Sequence, residues 1–127
     1  VADNLPDIIE NQLLDALVGT SSYTVTTPIK LALVTANGSD SAAGTEVTGG
    51  SYARQTIAFD AASGGSIDNN AAISFTGMPA CTVVGIEIYD DAGSPKRLAY
   101  GPLTASRTVT SGDTVQFASG AITLSLS

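Results

Sequence analysis

The run Cys81-Thr82-Val83-Val84-Gly85-Ile86-Glu87-Ile88-Tyr89 constrains this chain most. It is short, rich in β-branched residues and bounded by turn-forming residues, so it reads as a strand. Val84, Ile86 and Ile88 alternate on one face, while Val83 and Tyr89 share the other with Glu87. A strand apolar on both faces is normally covered on both sides, which predicts a central place for residues 81–89. The rest of the chain must supply its neighbours and its covers. Glu87 then poses a question of partners: a carboxylate on a buried face needs one. Arg54, which also lies in a strand pattern, is the candidate, and an exposed Glu87 on a solvated face is the competing reading.

The neighbours read as β almost throughout. Lys30–Ala36 is a clear strand, with Leu31 and Leu33 on one face and Val34 on the other. Ser51–Asp60 is a second, with Ile57 and Phe59 opposite Tyr52, Arg54 and Thr56. Shorter strands are predicted at 72–76, around Leu98, around Val109, at 114–118 and at 121–127, the last with Ile122, Leu124 and Leu126 inward. Between them, Asn37–Gly50 reads as a surface loop with a short pairing near Val47, and 61–70 as a turn region. Asp90–Pro95 and Ser111–Asp113 are further turns. Pro102 places its strand at an edge or ends it there. About seven to nine short strands separated by such turns predict an antiparallel β-sandwich, or a barrel-like variant of it.

One segment breaks this pattern. Across Asp3–Leu17, within a helical segment 3–18, Leu5, Ile8, Ile9, Leu13, Ala16 and Leu17 recur at helical spacing. Asp3 or Asn4 can cap the start and Pro6 fits the first turn. Asp7 and Glu10 suit the positive end of the helix dipole, and Gly19 is a stop signal. The mainly β chain with one N-terminal amphipathic helix is therefore expected to be a single domain spanning 1–127. The helix stripe can cover the sheet or dock onto a neighbouring subunit.

Composition removes several classes of function. The chain has no histidine, so Ser-His-Asp, Cys-His and His-based metal devices are excluded. Its single cysteine, Cys81, can form no internal disulfide and reads as a small buried hydrophobe. Asp90 and Asp91 lie in a turn that offers few ligands for a cation. Nothing in the spacing of Glu46, Asp60 and Glu87 selects a catalytic pair. We expect no catalytic, metal or cofactor-binding residues. A formal net charge of −7 with five Lys and Arg argues against nucleic acid as a partner. No apolar run approaches a membrane span, so no membrane partner is expected, and the acidic start lacks the look of a secretory leader.

One further pattern runs through most of the chain. It comprises Glu10-Asn11-Gln12-Leu13-Leu14-Asp15, Lys30–Ala36, Gly44-Thr45-Glu46-Val47 with Gly50-Ser51-Tyr52-Ala53-Arg54, and Ala72-Ile73-Ser74-Phe75. Val84–Asp90 and Leu103-Thr104 … Val109 … Ser111-Gly112-Asp113 follow. In this layout the chain resembles small virion structural proteins of tailed bacteriophages, a group that includes capsid decoration (cement) and tail-fibre-like proteins. The Thr-Glu-Val … Tyr-Ala-Arg pairing is its most specific part. The resemblance implies a non-enzymatic role in the virion, made in the host cytoplasm. Its first reading is a decoration protein on the outer face of the head, bound to the major capsid protein as a homo-oligomer, with a trimer favoured. The alternatives are a tail fibre or baseplate component and, further off, a carbohydrate-binding or adhesive module. Candidate subunit or capsid contacts are Leu5, Ile8, Ile9, Leu13 and Leu17 on the helix, with Glu46, Tyr52 and Arg54.

Overall fold

The computed structural model describes residues 5–126. Its largest sheet is antiparallel and is built on two strands whose limits coincide with the clearest apolar runs, β1 (Lys30–Ala36) and β6 (Cys81–Tyr89). The intervening strands are β2 (Thr45–Glu46), β3 (Gln55–Thr56), β4 (Ser66–Asp68) and β5 (Ile73–Phe75). After β6 come β7 (Arg97–Val109), β8 (Val115–Phe117) and β9 (Thr123–Ser125). The large sheet runs β2-β1-β6-β7, with β3 also on β1; β4 pairs with β9 and β5 with β8 in two-stranded ribbons. The chain is thus mainly β and antiparallel, with one N-terminal helix, α1 (Asp7–Leu17).

The register assigns each side chain of the large sheet to a face. Leu31 lies opposite Ile88, and Leu33 opposite Ile86. Together with Ala99 they form the inner face, which packs on Phe75, Ile73, Val115, Phe117, Met78 and Ile122 in one hydrophobic core. The other face carries Ala32, Glu87 and Tyr100 in one row and Lys30, Tyr89 and Arg97 in the next. Ala32 and Val34 on that outer face are as buried as the core itself. Loop 37–44 lies over this face, with Gly44 on Glu87, Ser39 on Arg97 and Asp40 on Tyr100. The central strand is therefore enclosed on both sides, as its composition predicts.

Several expectations need correction. The extended strand predicted over Ser51–Asp60 is reduced to Gln55–Thr56 plus an isolated bridge from Phe59 to Asn69. β2 and β3 both run antiparallel to β1, along Val34–Ala36 and Lys30–Leu31 respectively. They are two pieces of one edge strand; Val47 still donates its N–H to the Leu33 carbonyl of β1 at 2.9 Å, and residues 48–54 leave the sheet between them. Gly49 and Gly50 have positive φ there, and a side chain on Gly50 would meet the Gly77 carbonyl at 2.6 Å. Glycine thus lets the excursion turn back tightly. The supposed turn region 61–70 contains β4, held by β9.

The strands expected around Leu98 and Val109 are one strand, β7, which passes through Pro102 at the edge of the sheet. Pro102 is tolerated because an edge strand does not need every N–H. Leu103 to Ser106 stand opposite Val84 between the pairs Val83–Arg107 and Gly85–Pro102. This bulge changes the parity of β6, so Val83 rather than Val84 joins Ile86 and Ile88 in the core. At the C-terminal end Ile122 is buried, but Leu126 is exposed rather than inward.

The helix begins at Asp7, not Asp3. Pro6 occupies the N-cap, where it offers no side-chain cap, and Val18 the C-cap. The proposed caps Asp3 and Asn4 lie outside the described residues. Acidic Asp7 and Glu10 do occupy the first turn, where the dipole favours them. The Asp7 N–H is taken by the carbonyl of Asp40, 3.1 Å away, which ties the helix start to the loop over the sheet.

Candidate functional site

The edge of β1 and the outer face of the sheet carry a continuous polar network, built largely from the Thr-Glu-Val … Tyr-Ala-Arg segment. In the gap between β2 and β3 the Leu33 N–H faces no strand. The Tyr52 hydroxyl accepts it at 3.0 Å and donates to Glu46 Oε2 at 2.7 Å. The Tyr52 ring stacks on Phe75 in the core, with centroids 5.9 Å apart. Tyr52 therefore reaches from the core, through the gap, to the outer face. There Arg54 grips Glu46 with two hydrogen bonds, Nε to Oε2 at 3.0 Å and Nη2 to Oε1 at 2.8 Å. This bidentate geometry is the strong form of the pair. The Arg54 guanidinium lies 3.8 Å above the Tyr89 ring.

Tyr89 carries the network inward by donating to Glu87 Oε1 at 2.8 Å. Glu87 is fully buried, which decides against the solvated reading. Its partner is not Arg54 but Arg97, whose Nη1 lies 3.4 Å from Oε2. The register explains this. Arg97 pairs directly across from Tyr89 on β7 and is diagonal to Glu87, whereas β1 stands between Glu87 and β3. Glu87 Oε2 also accepts the Gly44 N–H at 2.7 Å, pinning the covering loop. Arg97 donates to the Ser39 carbonyl and stacks over Tyr100, whose hydroxyl donates to Asp40. The network thus links the segment that leads into β3, the sheet, the loop and the start of α1.

Its electrostatics follow from these contacts. Burial works against ionisation of Glu46, but the hydrogen bonds from Arg54 and Tyr52 and the guanidinium charge outweigh it, so the carboxyl titrates below its ordinary range. That stabilisation is present above the unfolded-state pKa and is lost as pH falls through the lowered folded value. Burial, followed by the bond to Glu87, pushes Tyr89 up to about 12. The bond to Asp40, followed by burial, pushes Tyr100 up to about 12. Burial also raises Tyr52 and Tyr23. All four tyrosines are thus displaced upward from the ordinary 10.0. Stability linked to them is full below that value and is lost as pH rises toward about 12. With no tryptophan in the chain, phenolate absorbance reads this directly. We expect little ionisation at the ordinary tyrosine pKa and a steep rise that coincides with loss of β circular dichroism. The network holds Tyr52, Tyr89 and Tyr100, so more than one tyrosine titrating at its ordinary pKa with the fold intact would contradict it.

The eight residues singled out from sequence divide between two places. Glu46, Tyr52 and Arg54 lie together in the network. On α1 Ile9 is buried, Leu13 is half-buried, and Ile8 and Leu17 are exposed, while Leu5, half-buried, precedes the helix. Leu5 and Leu13 line an apolar groove of about 240 Å³, closed on its far side by Ile67, Leu124 and Leu126. Sequence reasoning marked Glu87 as a carboxylate in need of a partner but missed Arg97, Tyr100 and Asp40 as network members. The placement of Tyr89 and Glu87 on one strand face was the available signal.

Asp90 is buried. Its carboxylate accepts the backbone N–H groups of Lys96 at 2.8 Å and of Ala92 and Thr26 at 3.4 Å, and so organises the β6–β7 turn. Among the described residues no three Cys, Asp or Glu side chains converge to hold a metal ion. Cys81 is half-buried against the core, and burial raises its thiol pKa. No helix among the described residues is long and apolar enough to cross a membrane.

An antiparallel β domain whose most specific sequence motif forms a structural brace, with its ring partners in the core, fits a class of small structural proteins. Residues 4–125 match the family model described as podophage GP4 fiber I protein gp80. The chain belongs to this family, and with it to the structural proteins of tailed-phage virions. No curated protein matches the chain.

Proposed function

We propose that this protein is a component of a podophage tail fibre, assembled into the virion as a homo-oligomer. The observation that carries this reading is the family match across residues 4–125, whose description is that of a fibre protein. It favours a fibre position over the outer face of the head, the first reading drawn from the sequence. The geometry supports a role without catalysis. The Glu46 and Glu87 carboxylates are engaged by backbone, tyrosine and arginine donors, and the Asp90 carboxylate by backbone N–H groups. Groups held in this way brace a fold rather than exchange protons with a substrate. Closed rotational symmetry is the default for such assemblies, and we propose a trimer.

Cryo-electron microscopy of the virion tests the position. The expected result is density for this fold at the tail, in few copies and around a rotation axis. Density repeated over the head lattice would overturn the fibre placement and restore the decoration reading with the major capsid protein as partner.

A further inference from the structure

The outward face of α1 has no partner within the described residues. Leu14 is 60% exposed, Leu17 80% and Val18 74%. Their spacing of three and four residues puts them on one stripe at the C-terminal end of the helix. Leu13, one turn before Leu17, turns from this stripe into the apolar groove that Leu124 and Leu126 close. Stripe and groove thus form one continuous apolar surface, which holds Leu14, Leu17, Val18 and Leu126 of the exposed aliphatics and leaves Ile8 and Val25 outside it.

The charges carried by the elements that build this surface have one sign. Asp7, Glu10 and Asp15 lie on the helix, and Asp60 and Asp68 on and beside β4. Neither α1, β4 nor β9 contains a Lys or Arg, and no basic residue occupies the last turn of the helix. The helix dipole adds a partial negative charge at the Leu17 end. All five cations of the chain are engaged elsewhere. Lys30 donates to Thr56, Arg54 to Glu46, Lys96 to the Thr24 carbonyl, Arg97 to Glu87 and Arg107 to the Gln116 carbonyl. Two copies meeting through this surface would oppose like charges, at a cost to association. An anionic lipid surface is repelled in the same way.

We propose that the α1 stripe and the adjoining groove dock an amphipathic, basic segment of a different virion protein. In that contact an apolar side chain of the partner enters the groove beside Leu13 and Leu126. Its Lys or Arg residues lie against Glu10 and Asp15. The inference rests on membership of the virion, not on the fibre position. A partner from the head would overturn the position and leave the docking intact, while self-contact at the tail would do the reverse.

The test uses assembled virions carrying a photo-crosslinking phenylalanine analogue at position 17. Mass spectrometry should find the crosslink in a peptide of another virion protein that interleaves Lys or Arg with apolar residues. Two variants accompany it, Leu14→Ser/Leu17→Ser/Val18→Ser and Glu10→Lys/Asp15→Lys. Both change exposed residues, so purified proteins should melt like the parent, and each should enter virions at least ten-fold less. A crosslink to a second copy, to the chain's own terminal residues, to lipid or to an acidic peptide would overturn the proposal. Undiminished incorporation of both variants would overturn it as well.

Discussion

Glu87→Ala is expected to remove a large part of this protein's stability. The carboxylate accepts from Gly44 N–H and the Tyr89 hydroxyl and faces Arg97 at 3.4 Å, with no exposure to water. Deleting it leaves the largely buried Arg97 guanidinium to the Ser39 carbonyl and the Tyr100 ring. It also orphans the Gly44 N–H under the covering loop. Breaking a buried pair by removing one partner costs about 3–5 kcal/mol, against a total of about 5–15 kcal/mol for an ordinary domain. Glu87→Gln keeps the shape but turns an NH2 group toward at least one donor that the carboxylate satisfied. It should cost about 1.5–3 kcal/mol, the scale of a lost hydrogen bond to a charged group. Urea unfolding midpoints should therefore rank parent, Gln, then Ala. An Ala variant as stable as the parent would mean that the pair is a passive occupant of its site, neutral once removed.

The ranking depends on which face each strand presents, and much of that was readable. Lys30–Ala36 and Cys81–Tyr89 emerge with their predicted limits because both faces are apolar and no competing period exists. The turn at Asp90–Pro95 follows from its residue types, although the burial of Asp90 does not. What escaped the sequence were non-local facts. β4 and β9 are three-residue strands that exist only because each finds the other. The bulge at Val84 reverses the parity of β6 for a reason located on β7. The partner of Glu87 depends on strand order, which alternation does not encode.

The Thr-Glu-Val … Tyr-Ala-Arg pairing illustrates both sides of this limit. Its specificity was visible, but alternation made Ser51–Asp60 a continuous strand with Tyr52 and Arg54 on one face. In the structure the chain leaves the sheet there, and the Tyr52 hydroxyl serves the Leu33 N–H that a neighbouring strand would otherwise have met. A hydroxyl in place of a ladder bond satisfies the same backbone group, and no local pattern distinguishes the two.

Phe75→Ala should be the second severe substitution, and it probes the same brace from the core side. Phe75 is 1% exposed, stacks on Tyr52 at 5.9 Å and meets Phe117 edge-on at 6.4 Å. Truncating a buried phenylalanine costs about 3–5 kcal/mol in lost transfer energy and residual cavity. Here the cavity also removes the surface on which the Tyr52 ring rests, so its hydroxyl loses the positioning that joins Leu33 to Glu46. Tyr52→Phe alone keeps the ring and deletes both hydrogen bonds, leaving the Leu33 N–H and a Glu46 oxygen short of a partner, at about 1–3 kcal/mol. The double variant should cost less than the sum of the singles, since Phe75→Ala has already loosened the hydroxyl that Tyr52→Phe removes. Denaturant unfolding of the four proteins measures that coupling. Strict additivity would show that core and brace are independent, and that Tyr52 reaches Leu33 and Glu46 without help from the ring beneath it.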